Sequence, residues 1–453
     1  MNLNRKERTI WQALLGAGYD TYIVGGAVRD YLLGEDPKDI DFATHATPAQ
    51  INQVFKDSEF KLDFVGASFG VMLISGVEVA TFRGDRYFGG GDKDVEITYV
   101  DTIEEDLARR DLTINAIAYD SSGNIVDPFG GRADLEKGII RFVGDAEDRI
   151  NEDPNRIFRA LRFTARFDFE LADDTWDAIT VAVDEGIIDS IAPERIRLEI
   201  LKTLESTKKA SVFWELLFAS NILDYIFPEL AEGFGHDHGN HHDEDVWTHN
   251  MLAGDFIGTI APLEKLAGYL HDVGKPASFD PKSGTFYEHQ HFGADIVRER
   301  LLALKFSSDE IRFVVNLVLV HMDGTRGMSP KSRRKLKSKL NAYGLDWTEY
   351  LAVRVADRHA NTSRPDFTPE QIQDYVDMFT IVEEIPFSVN DLAISGGDII
   401  EIFNLTPGPI VGKIQRELLN KVIDDGEEWN NRNALIGFAI NQFDIETEID
   451  IFD

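Results

Sequence analysis

A short apolar run, Tyr22-Ile23-Val24, ends in the pair Gly25-Gly26, leads into a helix-like segment from Ala27 to Leu33, and restarts at Pro37 before Asp39-Ile40-Asp41. This order constrains the fold more than any other stretch. The apolar run reads as a strand, and the glycine pair permits a sharp turn into a helix. In a following strand, Asp39 and Asp41 share one face while Ile40 and Phe42 point into a core. Two carboxylates on one face repel each other unless a cation joins them. Hard oxygen ligands of this kind suit Mg²⁺ that also carries substrate phosphates. The backbone amides of a glycine turn at the positive end of a helix suit the phosphates themselves. Together these parts describe a nucleotidyl-transfer site.

The rest of the chain divides by pattern. Up to residue 140, helical and strand-like runs alternate, with VEVATF, VEITYV and GIIRFV reading as strands. From about residue 141 the pattern is helical. The expected class is α+β: a mixed head over 1–140, a helical neck over 141–232, a His-rich helical domain over 233–365 and a helical tail over 366–453. Ten of the 11 His lie between His236 and His359, which gives that interval its own chemistry. The loop GFGHDHGNHHDED carries His236, His238, His241 and His242, read as loop residues. The ending FDIETEIDIFD reads as an added strand or a loose tail.

Composition narrows the classes. With no Cys, disulfides, thiolate metal sites and a cysteine nucleophile are excluded. No apolar run is long enough for a membrane span and the N-terminus lacks a signal-peptide core, so a cytoplasmic enzyme is expected. A formal net charge of −34 repels nucleic acid at long range. An RNA partner therefore requires a local basic surface.

Further motifs add to the first. In VEVATFR, alternation places Glu78 with Ala80 and Phe82, a third carboxylate beside Asp39 and Asp41 or a charge on a solvated strand face. RRDLTINA supplies Arg109, Arg110, Asp111 and Asn115: a fork for phosphate and an acceptor for a ribose hydroxyl. Asp127, Gly130 and Gly131 in DPFGG read as hinge material. In NEDPNRIFRALRFTARF, Arg156, Arg159, Arg162 and Arg166 form one helical stripe, with Glu152 and Asp153 at its N-terminus. One carboxylate and one guanidinium, Asp153 and Arg156, satisfy the exocyclic amine and ring nitrogen shared by cytosine and adenine. Uracil and guanine place a carbonyl oxygen or ring N–H there instead.

In this order, GGAVRD with DID, EVATFR, RRDLTINA, DPFGG, EDPNRIFRALRF and PERIRLE resemble the class II CCA-adding tRNA nucleotidyltransferases and their bacterial poly(A) polymerase relatives. The resemblance implies a polymerase-β-like head and a helical neck, body and tail that grip tRNA. It implies two Mg²⁺ on Asp39 and Asp41, and Glu78, placed by strand alternation, is the further candidate catalytic acid. Nucleotide contacts would come from Gly25, Gly26, Arg29, Arg110, Asp111, Asn115, Asp153, Arg156, Arg159 and Arg162. The implied reaction adds CCA to tRNA from CTP and ATP; poly(A) synthesis and CC-only or A-only addition are the alternatives. The long loop between Arg83 and Arg109 favours complete CCA addition, although Gly89-Gly90-Gly91-Asp92-Lys93-Asp94 replaces the basic and Pro residues usual there.

His249, His271-Asp272 and Asp357, with His289 and His321 between, resemble an HD phosphohydrolase domain. The resemblance implies a divalent transition metal (Ni²⁺, Mn²⁺ or Zn²⁺) or Mg²⁺ on these six residues, and cyclic phosphodiesterase or phosphatase activity. Lys331, Arg333, Arg334 and Lys335 crowd SPKSRRKLKSKL, which starts a helix at Ser329-Pro330. They form either a solvated face or a phosphate-gripping patch, to which Arg195 and Arg197 would add.

Overall fold

A computed structural model describes residues 1–64, 66, 70–87, 95–239, 242–324, 328–380 and 388–443. The expected switch loop at 89–94, His241 and the alternating end after Phe443 lie outside the described residues. The fold is mixed, with a sheet in the N-terminal part and helices throughout the C-terminal part. No described helix is long and apolar enough to cross a membrane.

Two compact units are present, Met1–Ile226 and Phe227–Asp453, where four segments were expected. The head–neck boundary near 140 separates no compact unit. The reason is a parallel pair in which Ile139–Ile140 of the head binds Glu170–Leu171 of the neck.

The first unit is built on strands β1 (Thr21–Val24), β2 (Asp41–Thr44), β3 (Leu62–Asp63), β4 (Val71–Ile74), β5 (Val77–Thr81), β6 (Arg83–Tyr87), β7 (Val95–Tyr99), β8 (Ala118–Tyr119) and β9 (Ile125–Val126). Seven of them form one sheet in the order β3-β4-β5-β2-β1-β8-β9, while β6 and β7 pair as a separate hairpin. GIIRFV contributes only the two-residue strand Ile139–Ile140, since Phe142 makes an isolated bridge to Leu112. The helix Arg5–Gly16, closed by an Asn4/Glu7 capping box, buries Ile10, Trp11 and Leu14. Trp11 meets Phe42 of β2 at a ring separation of 5.9 Å. Val24, Ala43, Phe82, Ile103, Leu107, Ala116, Ala118 and Val143 form a further core cluster.

Register positions the acids. Val24 pairs with Asp41, at the end of β1 immediately before Gly25. Phe42 pairs with Val79 in parallel β5, which sets Asp41 beside Glu78. Asp39 departs from expectation. It is exposed and precedes β2, so the pleat of a shared strand does not align it with Asp41.

In the second unit, helices Val246–Phe256, Pro262–Leu270 and Trp347–Ala360 pack together, joined by His289–Ala303 and Ser308–Val320. The Pro330–Ala342 helix packs on Pro409–Asp425, whose Val411, Ile414, Leu418 and Val422 share a tail core with Ile399 and Leu435.

Candidate active site and candidate metal centre

In the first unit, a cavity of about 480 Å³ is lined by Gly25, Gly26, Arg29, Asp41, Glu78, Arg110, Asp111, Asn115, Asp153, Arg156 and Arg159. Arg109, from the same RRD motif, also lines it, as do Arg83 and Phe163, which the sequence reading missed. Gly25 has φ 68°, and a Cβ there would approach Arg110 Nη1 to 2.9 Å. Glycine thus supplies both the turn and the room for the arginine.

Asp41 carries the electrostatic signature. Burial raises its carboxyl most, Glu78 pushes it further, Arg110 pulls it back and Asp39 adds to the rise, to about 6. Asp39 does not line the cavity, yet its charge reaches Asp41. An acid cluster short of positive charge is the donor set a divalent cation fits.

The arginines are already engaged. Arg29 is buried and donates from Nη1 to Asn115 Oδ1 at 2.6 Å and from Nε to Asp30 at 2.8 Å. Arg110 Nη2 lies 3.1 Å from Asp106. Arg159 Nε donates to Asp111 Oδ2 at 2.6 Å. Asp111 is buried, which would raise its carboxyl, but Arg159, the Leu112 amide and Asn115 outweigh burial and lower it to about 2. Arg156 Nη1 donates to Glu152 at 2.6 Å, and its Nη2 donates to the Arg109 carbonyl at 3.1 Å.

Two residues stand apart from the roles expected of them. Arg162 does not line the cavity; its guanidinium pairs with Glu199 at 2.5 Å, both buried. Arg195, expected on an RNA surface, donates twice to Asp153. Arg197 lies on the same helix, Pro193–Ser206.

In the second unit, His249 is carried by the Val246–Phe256 helix, which Asp245 caps through the Thr248 amide at 2.7 Å. Asp357 comes from the Trp347–Ala360 helix packed against it. His271 caps the helix Pro262–Leu270, with Asp272 next. A Cβ at Gly274 would lie 2.2 Å from the His289 carbonyl, so glycine lets the His289–Ala303 helix close on this corner.

The imidazoles are oriented by their outer nitrogens. His271 Nδ1 donates to the Gly268 carbonyl at 2.8 Å, His289 Nδ1 to Phe286 at 3.0 Å and His321 Nδ1 to Val318 at 2.7 Å. His249 Nδ1 faces Glu244 Oε1 at 3.1 Å. Each ring thereby turns Nε2 inward, the arrangement typical of metal-binding histidines.

The inward atoms form two groups, His249–His271–Asp357 and Asp272–His289–His321, and Asp272 Oδ2 also comes within 3.7 Å of His249 Nε2 in the first. In one, His249 Nε2 lies 3.3 Å from Asp357 Oδ1, and His271 Nε2 lies 3.4 Å from Asp272 Oδ2. In the other, His289 Nε2 and His321 Nε2 lie 3.1 and 3.5 Å from Asp272 Oδ1 and 3.2 Å from each other. Ligands about 2.0–2.2 Å from a common cation have such separations. His271 Nε2 and Asp272 Oδ1 are buried without a hydrogen-bond partner, so the donor set fits divalent cations.

Sequence reasoning also missed residues here. His238, one of the loop histidines, is buried, with Nε2 3.1 Å from Asp272 and beside Lys275 Nζ. Glu244 accepts from His242 Nδ1 at 2.6 Å and from the Thr362 amide and hydroxyl. The visible signal was position: this loop leads directly into the cap of the helix bearing His249.

The basic helix Pro330–Ala342 begins at Ser329 as expected. Arg334 is not part of a bare solvated face: it donates to the carbonyls of Ile423 and Asp424 at 2.7 and 2.9 Å, closing the end of the tail helix. Lys331 and Lys335 pair with Asp424 at 3.0 and 2.9 Å. Arg333 Nε donates to the Met328 carbonyl.

Residues 21–141 match the poly A polymerase head domain, 168–234 the RNA and SrmB-binding site of polymerase A, and 290–439 tRNA nucleotidyltransferase domain 2. The CCA-adding enzyme of Lactiplantibacillus plantarum is 30% identical over 437 residues, 95% of each chain. The chain belongs to the CCA-adding enzyme family. Another relative in this family, the A-adding tRNA nucleotidyltransferase of Deinococcus radiodurans, is 32% identical over 87% of this chain and 90% of its own. The crystal structure of the Bacillus stearothermophilus CCA-adding enzyme in complex with CTP superposes with a TM-score of 0.68 at 26% identity, covering 97% of each chain. Family membership makes this chain a nucleotidyltransferase of tRNA processing.

Proposed function

We propose that the first unit adds CCA to the 3′ end of tRNA from CTP and ATP without a nucleic-acid template. The observation that carries this reading is the single cavity joining Asp41 and Glu78 to the Gly25 turn, Arg110 and the Asp153/Arg156 pair. Asp41, Glu78 and Asp39 would hold Mg²⁺. When bound, such a cation lowers the pKa of the RNA 3′-hydroxyl and neutralises the departing pyrophosphate. The protein's work is positioning. Gly25, Gly26, Arg29 and Arg110 orient the triphosphate, Asp111 and Asn115 hold the ribose side, and Asp153 with Arg156 reads the base edge. Arg159 fixes Asp111, and Arg162 fixes the neck through Glu199.

The tRNA would meet Arg197 and the half-exposed Lys331 and Lys335, with Arg333 and Arg334 shaping the same helix. The six HD residues would hold a divalent transition metal (Ni²⁺, Mn²⁺ or Zn²⁺) or Mg²⁺ for phosphoester hydrolysis, supplying an activated water. The sequence expectation of a cytoplasmic location accords with this chemistry.

A second reading is A-only addition, favoured by the A-adding relative at 32% identity. A tRNA lacking CCA, given CTP and ATP singly and together, separates the two. Three nucleotides added only with both supports CCA synthesis. One A added only to a tRNA already ending in CC supports the second reading, and a long A ladder would refute both.

A further inference from the structure

The second unit has a cavity of about 270 Å³ running from Asp272, His289 and Asp357 to Phe367 and Tyr375. Four cationic side chains line it. Lys275 and Arg354 are matched by carboxylates, Asp272 and Asp357, each at 2.7 Å. Arg358 and Arg364 have no carboxylate partner among the described residues. Arg358 instead donates to the Pro365 carbonyl at 2.9 Å and lies over the Phe367 ring, 5.3 Å from its centroid. Phe367 packs against buried Tyr375 at 5.5 Å. Arg364 is exposed while Asp272 and His289 are buried, so it stands at the opening.

In a chain with 80 acidic residues, two uncompensated guanidinium groups on one small cavity mark an anion-binding rim. A divalent cation held by the acidic and imidazole donors, with Lys275 beside it, would suffice for one phosphoryl group. The rim cations therefore serve a second anion, and Phe367, which shares the cavity with them, offers a stacking face.

We propose that this cavity takes a nucleoside unit bearing two phosphate groups. One phosphate is directed to the His/Asp centre beside Lys275, the other is held by Arg364 and Arg358, and the base lies on Phe367. The assignment rests on the phosphohydrolase reading given above. The same chemistry is offered by a soluble nucleoside bisphosphate and by the last nucleotide of an RNA ending in a phosphate.

The test is calorimetric binding to the Mn²⁺-loaded full chain. The probes are adenosine 3′,5′-bisphosphate, an oligoadenylate with a 3′-phosphate, and inorganic phosphate. Arg364→Ala should weaken both nucleotide probes about tenfold or more and leave inorganic phosphate unchanged. Arg110→Ala, in the other unit, should leave all three unchanged. Tighter binding of the oligoadenylate names the RNA end as source; tighter binding of the bisphosphate names the small molecule. Affinities that ignore Arg364→Ala, or that follow Arg110→Ala, overturn the proposal. Loss of the underlying hydrolase reading looks different: Asp272→Ala would then leave Mn²⁺ and inorganic phosphate binding intact.

Discussion

Both carboxylate oxygens of Asp153 accept from the Arg195 guanidinium, Oδ1 from Nη1 and Oδ2 from Nη2, each at 2.8 Å. This two-point fork fixes the plane of the carboxylate. Oδ1 also accepts from the Asn155 backbone amide at 3.1 Å, so the spare lone pair for a nucleobase amine is on Oδ2. On the proposed reading of the base edge by Asp153 and Arg156, Arg195 is a positioning residue. Arg195→Ala should free Asp153 to rotate and raise misincorporation of UTP and GTP about tenfold. Competition between nucleotides on a truncated tRNA measures this, and unchanged selectivity with weaker tRNA binding would return Arg195 to an RNA-contact role.

Arg162 and Glu199 make a buried pair in the neck. Removing one partner leaves an uncompensated buried charge, so Glu199→Ala should cost about 3–5 kcal/mol. Replacing both with apolar residues, Arg162→Met with Glu199→Leu, should recover most of it. Denaturant midpoints of the single and double variants check the coupling.

Asp41 ties metal binding to pH. Its carboxyl sits near 6 in the metal-free protein, through burial first and the Glu78 charge second. A raised acid holds its proton up to that pH, so a cation must displace the proton below it. Mg²⁺ affinity should therefore fall by about tenfold from pH 7 to pH 5 as one proton competes. It should be nearly flat from pH 7 to 8. A titration of Mg²⁺ binding by calorimetry at each pH reads this directly; affinity independent of pH would remove Asp41 from the ligand set.

The two sites should fail separately. Asp41→Ala should abolish nucleotide addition, by at least about a thousandfold, and leave phosphoester hydrolysis intact. Asp272→Ala should do the reverse and, because Asp272 faces His249 and His271 through Oδ2 and His289 and His321 through Oδ1, should lose more bound metal than His321→Ala. Activity assays on both substrates with metal analysis after desalting decide it.

Much of the first site follows from period and spacing. The Gly25 turn and the Asp41–Glu78 neighbourhood are fixed by adjacent strands, and alternation reveals which side chains share a face. Partners distant in sequence were not legible. The arginine stripe predicts one helical face, but not that Glu199 and Asp111 face it, 37 and 48 residues from Arg162 and Arg159. Asp39 failed for a local reason: β2 starts two residues later than alternation suggested. His238, His242 and Glu244 lie in a loop with no periodicity, and only tertiary closure on Thr362 and Lys275 gives them a common centre.

The most direct test offers the enzyme a tRNA lacking CCA with all four nucleoside triphosphates at equal concentration, followed by sequencing of the added 3′ ends. The account predicts C, C, A and then arrest, with U and G absent. Incorporation of U or G at these positions, or continued addition of A beyond the third, would contradict base selection by Asp153 and Arg156.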